Sequence, residues 1–180
     1  MATETLVTLV LLAVLGLWAV GAYNRLMSHR LRISQAWVKV QETLLARGAV
    51  VLPLVQGLQA PLAGEQGALE RWALDHERMR TAANAAPALP LDVQRAAAWA
   101  DAEAALAASS SRVLALMEQQ PDLLHPQMAS LRDTWLQGQA RLPFVRQNCN
   151  DAVQAYNDAL QQAPTRWLAQ LFRLAPAGKV

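Results

Sequence analysis

The first residues of this chain hold the feature that most limits how it can fold. Leu6 to Ala22 reads LVTLVLLAVLGLWAVGA, seventeen residues without a charge. As a helix this run is about 25 Å long, at the short end of what crosses a bilayer. Tyr23 follows at the expected interface, where aromatic rings are favoured. A cleavable signal peptide is the rival reading, with Val20-Gly21-Ala22 as a weak cleavage site. Such a peptide needs a basic leader, and the residues before the run are MATET, with an acid at Glu4. The expectation is an uncleaved membrane helix at residues 6–23 behind a short tail at 1–5, which makes the lipid bilayer the first partner.

Charge around the run predicts its direction. Arg25, Arg30 and Arg32 crowd behind it, with His29 among them, and no Lys or Arg precedes it. The positive-inside rule then places residue 24 onward in the cytoplasm. These arginines read as a topology signal rather than as a specific lipid-headgroup site. Gly16 and Gly21 are five apart and form no GxxxG, so pairing of two such helices is only weakly suggested.

No turn signal follows the run. Leu26, Ile33, Trp37, Val40, Leu44, Val51 and Leu58 keep three-four spacing or its multiples, which is one face of a helix. The membrane helix is therefore expected to continue into the rest of the chain. Ala, Leu and Val carry the hydrophobicity and Ile33 is the lone isoleucine, a balance that favours helix over sheet. Pro53 predicts a kink, and Gly57, Pro61, Gly64 and Gly67 mark a break. A second helix is expected over Gln66–Ala83, its Glu, Asp and Arg residues forming a solvated face. A third opens near Leu91-Asp92, with Asp92 as its cap, and reaches Gln119. Pro121-Asp122 reads as a turn. A fourth helix runs from Pro126 to Gln162, with a kink at Pro143, and a short apolar segment precedes a loose tail holding Pro176 and Gly178. The fold class is all-α: an N-terminal transmembrane helix, then about four long helices at 24–163 and a C-terminal segment at 164–180.

Asn-Asp-Ala occurs twice in NDAVQAYNDAL, at Asn150 and Asn157. Alternating steps of three and four along the fourth helix pass through Met128, Leu131, Trp135, Gly138, Leu142, Val145, Cys149, Ala152, Tyr156 and Ala159 without meeting a charge. That is a sustained heptad-like, coiled-coil seam. Seven residues make two turns, so both asparagines fall on its shoulder, placed to satisfy backbone or neighbouring-helix groups. Asp151 and Asp158 point nearly opposite, about 10 Å apart along the axis, outside the spacing that paired-carboxylate hydrolases use. The repeat reads as packing. Such a seam serves an intramolecular bundle or a homo-oligomeric coil equally well.

Nothing else in the sequence assembles a catalytic or metal site. The histidines are His29, His76 and His125, with no HExxH. His76 sits between Asp75 and Glu77, but adjacent helix positions point apart. Cys149 is alone, which excludes an intramolecular disulfide, and its place in the seam predicts a buried, inert thiol. A formal charge of +2, with no dense basic patch, argues against nucleic acid. No catalytic residue, cofactor or metal is expected. Trp37, Trp72, Trp99 and Trp135 read as core. Trp167, with Leu168, Leu171 and Phe172 beside Arg166 and Arg173, caps a bundle end or lies on a membrane surface, and capping is the favoured expectation.

The same residues carry a resemblance. Tyr23-Asn24-Arg25-Leu26, Ala36-Trp37, the segment LLARGAVVLPLV with Leu44, Arg47 and Pro53, then Glu118, Pro121-Asp122-Leu123, Leu131 and Arg146 fall in order. Asn150-Asp151-Ala152-Val153, Tyr156-Asn157, Pro164, Ala169 and Phe172 close the pattern. In order and spacing the chain resembles the LemA family of bacterial membrane-anchored helical proteins, outside residues 60–110. Cys149 stands where the family has Tyr, Gln139 where it has an acid, and Arg47 to Ala49 reads Arg-Gly-Ala in place of Arg-Ala-Asp. These departures mark a divergent member in which a polar network between first and last helices is not expected to follow the family's pattern. The resemblance implies an elongated antiparallel bundle on a membrane helix, in a family that includes magnetosome-membrane relatives and has no established enzymatic activity. It implies a bacterial inner (cytoplasmic) membrane location, single-pass, and members often occur with membrane proteases or other envelope proteins. The expected function is a non-enzymatic scaffold or adaptor for an unidentified membrane or cytoplasmic protein. The alternative is an accessory partner of a membrane protease, bound through the 84–91 loop or the tail.

Overall fold

The computed structural model describes residues 2–84, 93–120, 122, 125–163 and 165–180. Its helices are α1 (Ala2–Gly48), α2 (Val51–Leu58), α3 (Gln66–Asn84), α4 (Val93–Gln119), α5 (Pro126–Gln161) and α6 (Thr165–Leu171), with a 3-10 turn at Ala63–Glu65. No strand occurs among the described residues. The 84–91 loop, the Asp92 cap, the Pro121 turn and Pro164 fall largely or wholly outside them.

α1 is one unbroken helix of 47 residues. Its large apolar side chains from Leu6 to Val20 are exposed, whereas Leu26, Ile33, Trp37, Val40 and Leu44 are buried. It is long and apolar enough to cross a membrane. The antiparallel partner is α5. Leu26 and Ile33 share a cluster with Val153, Tyr156 and Ala159. Further along, Arg47 meets Gln139, and Gly57 faces Met128. Rising numbers on one side thus match falling numbers on the other. α3 and α4 form a second antiparallel pair, with Arg112 reaching Glu65 at one end. The two pairs join through Trp37 against Trp99, with ring centroids 6.0 Å apart, and Trp72 against Trp135 at 5.3 Å, both edge to face.

Three expectations change. The helix breaks at Ala49-Val50, not at Pro53. Pro53 lies in the first turn of α2, and its ring displaces the carbonyl four residues earlier, at Ala49, so the break falls there. The fourth predicted helix is present as α5, Pro126–Gln161, with Pro143 inside it and its ring exposed. The face of α3 taken as solvated is split. Asp75 is 1% exposed between Trp72 and Met79, held by Arg71 Nε at 2.8 Å and Arg78 Nη1 at 3.4 Å, and His76 is half-buried. Finally, the tail is not loose. Ala177, Gly178 and Val180 are buried along α5.

The asparagine repeat explains that tail. Asn157 Nδ2 donates to the Ala177 carbonyl at 2.9 Å while its Oδ1 accepts from the Ala177 N–H at 2.8 Å. Asn150 does the same with Val180, both at 2.8 Å. Tyr156 donates its hydroxyl to the Ala175 carbonyl. Two turns of helix advance about 10.5 Å, and three extended residues advance about 10 Å, so the two rulers match. Asp151 and Asp158 face outward and accept from Gln147 and Gln154, each one turn back.

Candidate functional site

The site begins with a charge in the core. Arg47, in the last turn of α1, is 1% exposed. Its Nη1 and Nη2 make a two-pronged pair with Glu103 of α4, at 2.8 and 2.7 Å. Nη1 also donates to Gln139 Oε1 of α5 at 2.6 Å, and the guanidinium carbon lies 4.9 Å from the Trp135 ring centroid. Charge-assisted, bidentate geometry and a ring face together offset the cost of removing this ion pair from water. Alanine-rich surroundings thin α4 around Glu103. Gly138 thins α5, since a Cβ there would sit 2.7 Å from Arg47 Cβ.

The Arg47 network shows what becomes of Gln139. That residue still takes part, as a neutral acceptor, and the acid comes from α4. Glu103 escaped the sequence reading although it left a signal. Trp99, Glu103, Leu106, Ser110, Val113 and Met117 are all buried at steps of three and four, so Glu103 is a charge on an apolar stripe. Arg47 and Asp75 break their stripes in the same way.

Beside the network lies a cavity of about 550 Å³. Leu44, Leu45, Leu52, Met79 and Leu106 give it an apolar lining, and Gln41, Arg47, His76 and Arg80 supply polar edges. Leu45 and Leu52 are 62% and 56% exposed, so the lining continues onto the surface. Burial lowers the His76 pKa below its ordinary 6.5, Glu77 opposes that, and Arg47 and Arg80 lower it further. An imidazole shifted toward its neutral form, an arginine engaged by Glu103 and Gln139, and aliphatic walls suit the holding of an apolar segment. Among the described residues no group of three or more His, Cys, Asp or Glu could hold a metal ion.

The other residues singled out from sequence lie elsewhere. Arg25 and Arg32 are exposed on α1 and Arg30 is half-buried. Asn24 is exposed, and Tyr23 packs on Phe172. Leu142, Val145, Cys149 and Tyr156 are buried on α5 beyond Trp135, which packs on Arg47, and Leu131 is partly buried. Past Cys149 the expected stripe keeps Tyr156 and Ala159 and widens to Val153 and Leu160, because a straight helix drifts against a seven-residue repeat. Burial pushes the Cys149 thiol up to about 11. His125 is a helix cap, its Nδ1 accepting from the Met128 N–H.

No curated protein matches the sequence. A family model described as the LemA family matches residues 36–179, beginning after the apolar run and including Arg47, Glu103, Gln139 and both asparagines of the clasp. With the match covering most of its length, the chain belongs to the LemA family.

Proposed function

We propose that this protein is a non-enzymatic scaffold or adaptor, anchored in the bacterial inner membrane by residues 6–23 and acting through contacts of its bundle with another membrane or cytoplasmic protein. The observation that carries this reading is the continuity of α1. One helix supplies both the uncovered apolar run and a wall of the core, with no break before Gly48. Anchor and bundle therefore move together. From Ala22 to Gly48 the helix advances about 39 Å. The cavity bounded by Leu45, Leu52 and His76 is held at that height above the bilayer. Tethering of this kind raises the effective concentration of partners near the membrane without any chemistry.

The test is the mass of the complex extracted from membranes in mild detergent, with the bound species sequenced as another protein or a second copy. A scaffold runs as an assembly larger than one chain. Leu45→Glu with Leu52→Glu reduces it to one chain while the bundle's unfolding temperature holds. A single chain in the unaltered protein overturns the reading, and so does hydrolytic turnover abolished by one polar substitution.

A further inference from the structure

α6 does not bury its largest side chains. Trp167, Leu171 and Phe172 are 63%, 74% and 52% exposed. The rings that do find neighbours find them on the apolar end of α1. Trp167 lies 6.5 Å from Trp18, and Phe172 lies 5.4 Å from Tyr23. The order is the same on both helices, five residues apart on each, so the C-terminal segment rises alongside the last turn of the apolar run. α5 approaches that end, and Thr165 turns the chain back by donating to the carbonyls of Ala159 and Gln162. The tail then returns along α5 to the asparagine clasp. The result is a hairpin tip fixed at the level of residues 18–23.

The charge at this tip has one sign. Arg25, Arg166 and Arg173 fall within residues 18–26 and 159–175, and those stretches contain no Asp or Glu. Arg166 and Arg173 bracket the exposed apolar face. Long basic side chains that reach outward beside aromatic and leucine residues match the boundary between acyl chains and anionic headgroups.

We infer that α6 is a second membrane contact: Trp167, Leu171 and Phe172 insert into the headgroup–acyl boundary beside the anchor, with Arg166 and Arg173 against anionic lipid. This inference rests on the anchoring role of residues 6–23. Thr165 and Ala169 still pack on the bundle end, as the capping expectation has it, and the membrane contact uses the rings that this packing leaves open. A bundle that touches the membrane at two points, anchor and foot, is fixed in tilt and rotation as well as height.

The test uses the full chain in vesicles of phosphatidylcholine and phosphatidylglycerol, with one nitroxide at a time on Leu171→Cys, Phe144→Cys or Val10→Cys. Cys149 is buried with a raised pKa, so it stays unlabelled at neutral pH, and Cys149→Ser repeats the series. The readout is the accessibility of the label to oxygen, which favours lipid, against a nickel chelate, which favours water. The expected oxygen-to-nickel ratio is several-fold higher at 171 than at 144, and Arg166→Gln with Arg173→Gln lowers the value at 171 alone. A label at 171 that matches 144 while 10 reads as lipid overturns the foot and spares the anchor. A water-like reading at 10 removes the anchor itself. Spin–spin broadening at 171 assigns the face to a second copy of the chain and also overturns the foot.

Discussion

At the residue scale, three charges sit where a hydrophobic stripe predicts an apolar side chain. Arg47, Asp75 and Glu103 are all buried, and each has its partners in place. Removing one member of a buried pair costs far more than replacing both, because the survivor is left in a low dielectric without its counter-charge. Glu103→Ala should therefore destabilise the bundle by about 3–5 kcal/mol in denaturant unfolding. Arg47→Met with Glu103→Leu should recover most of that loss. A double variant as weak as the single one would show that the pair is not coupled as its geometry implies. His76 gives a pH prediction. Its folded pKa lies below 6.5, mainly through burial, so below that pH the unfolded chain takes up the proton more readily. Stability is then full above about pH 6.5 and is lost as pH falls through the folded pKa. His29 shifts the same way, through burial and then Arg32 and Arg25. His76→Gln should flatten the acid limb of the stability profile without abolishing it.

At the element scale, the closing helix is a ruler for the tail. Gln147-Asn148-Cys149-Asn150-Asp151-Ala152-Val153 is followed by Gln154-Ala155-Tyr156-Asn157-Asp158-Ala159-Leu160, so the repeat begins three residues before the asparagine. Within each unit the glutamine steadies the aspartate on the water side, and the asparagine grips the tail. Asn150→Ala with Asn157→Ala should strip the hydrogen-exchange protection of the Ala177 and Val180 amides while α5 stays protected. Each unsatisfied buried amide partner should cost about 1–3 kcal/mol. The asparagines' place on the seam shoulder was legible from helical geometry. Their partner was not, because Pro176 and Gly178 have no periodicity that points to a docking surface. The Pro53 expectation failed for a related reason. A proline perturbs the turn before itself, so the break belongs to Ala49 and Val50.

At the scale of the molecule, one helix carries two kinds of surface. α1 leaves its first apolar residues uncovered and buries the same class of side chain from Leu26 onward. Positive charge behind the apolar run sets the expected direction of insertion. A compartment-sensitive reporter fused after Val180 should therefore give a cytoplasmic signal. A signal from the opposite side would mean that Arg25, Arg30 and Arg32 do not govern orientation, and the partners of the bundle would be sought there.

The sequence by itself determined what depends on neighbours along the chain. Helix positions, the stripes from Leu26 to Leu44 and from Trp135 to Tyr156, the apolar run and the basic cluster behind it all follow from short-range periodicity and charge. Tertiary structure alone decided which stripes meet and what their exceptions mean. Arg47 finds its acid 56 residues away on α4, Asn150 finds its backbone partner 30 residues on, and Trp167 returns to Trp18. A period of three and four says which face turns inward, but not which helix it meets. Pairing over such distances is set by how the helices close into a bundle, and only the closed bundle shows it.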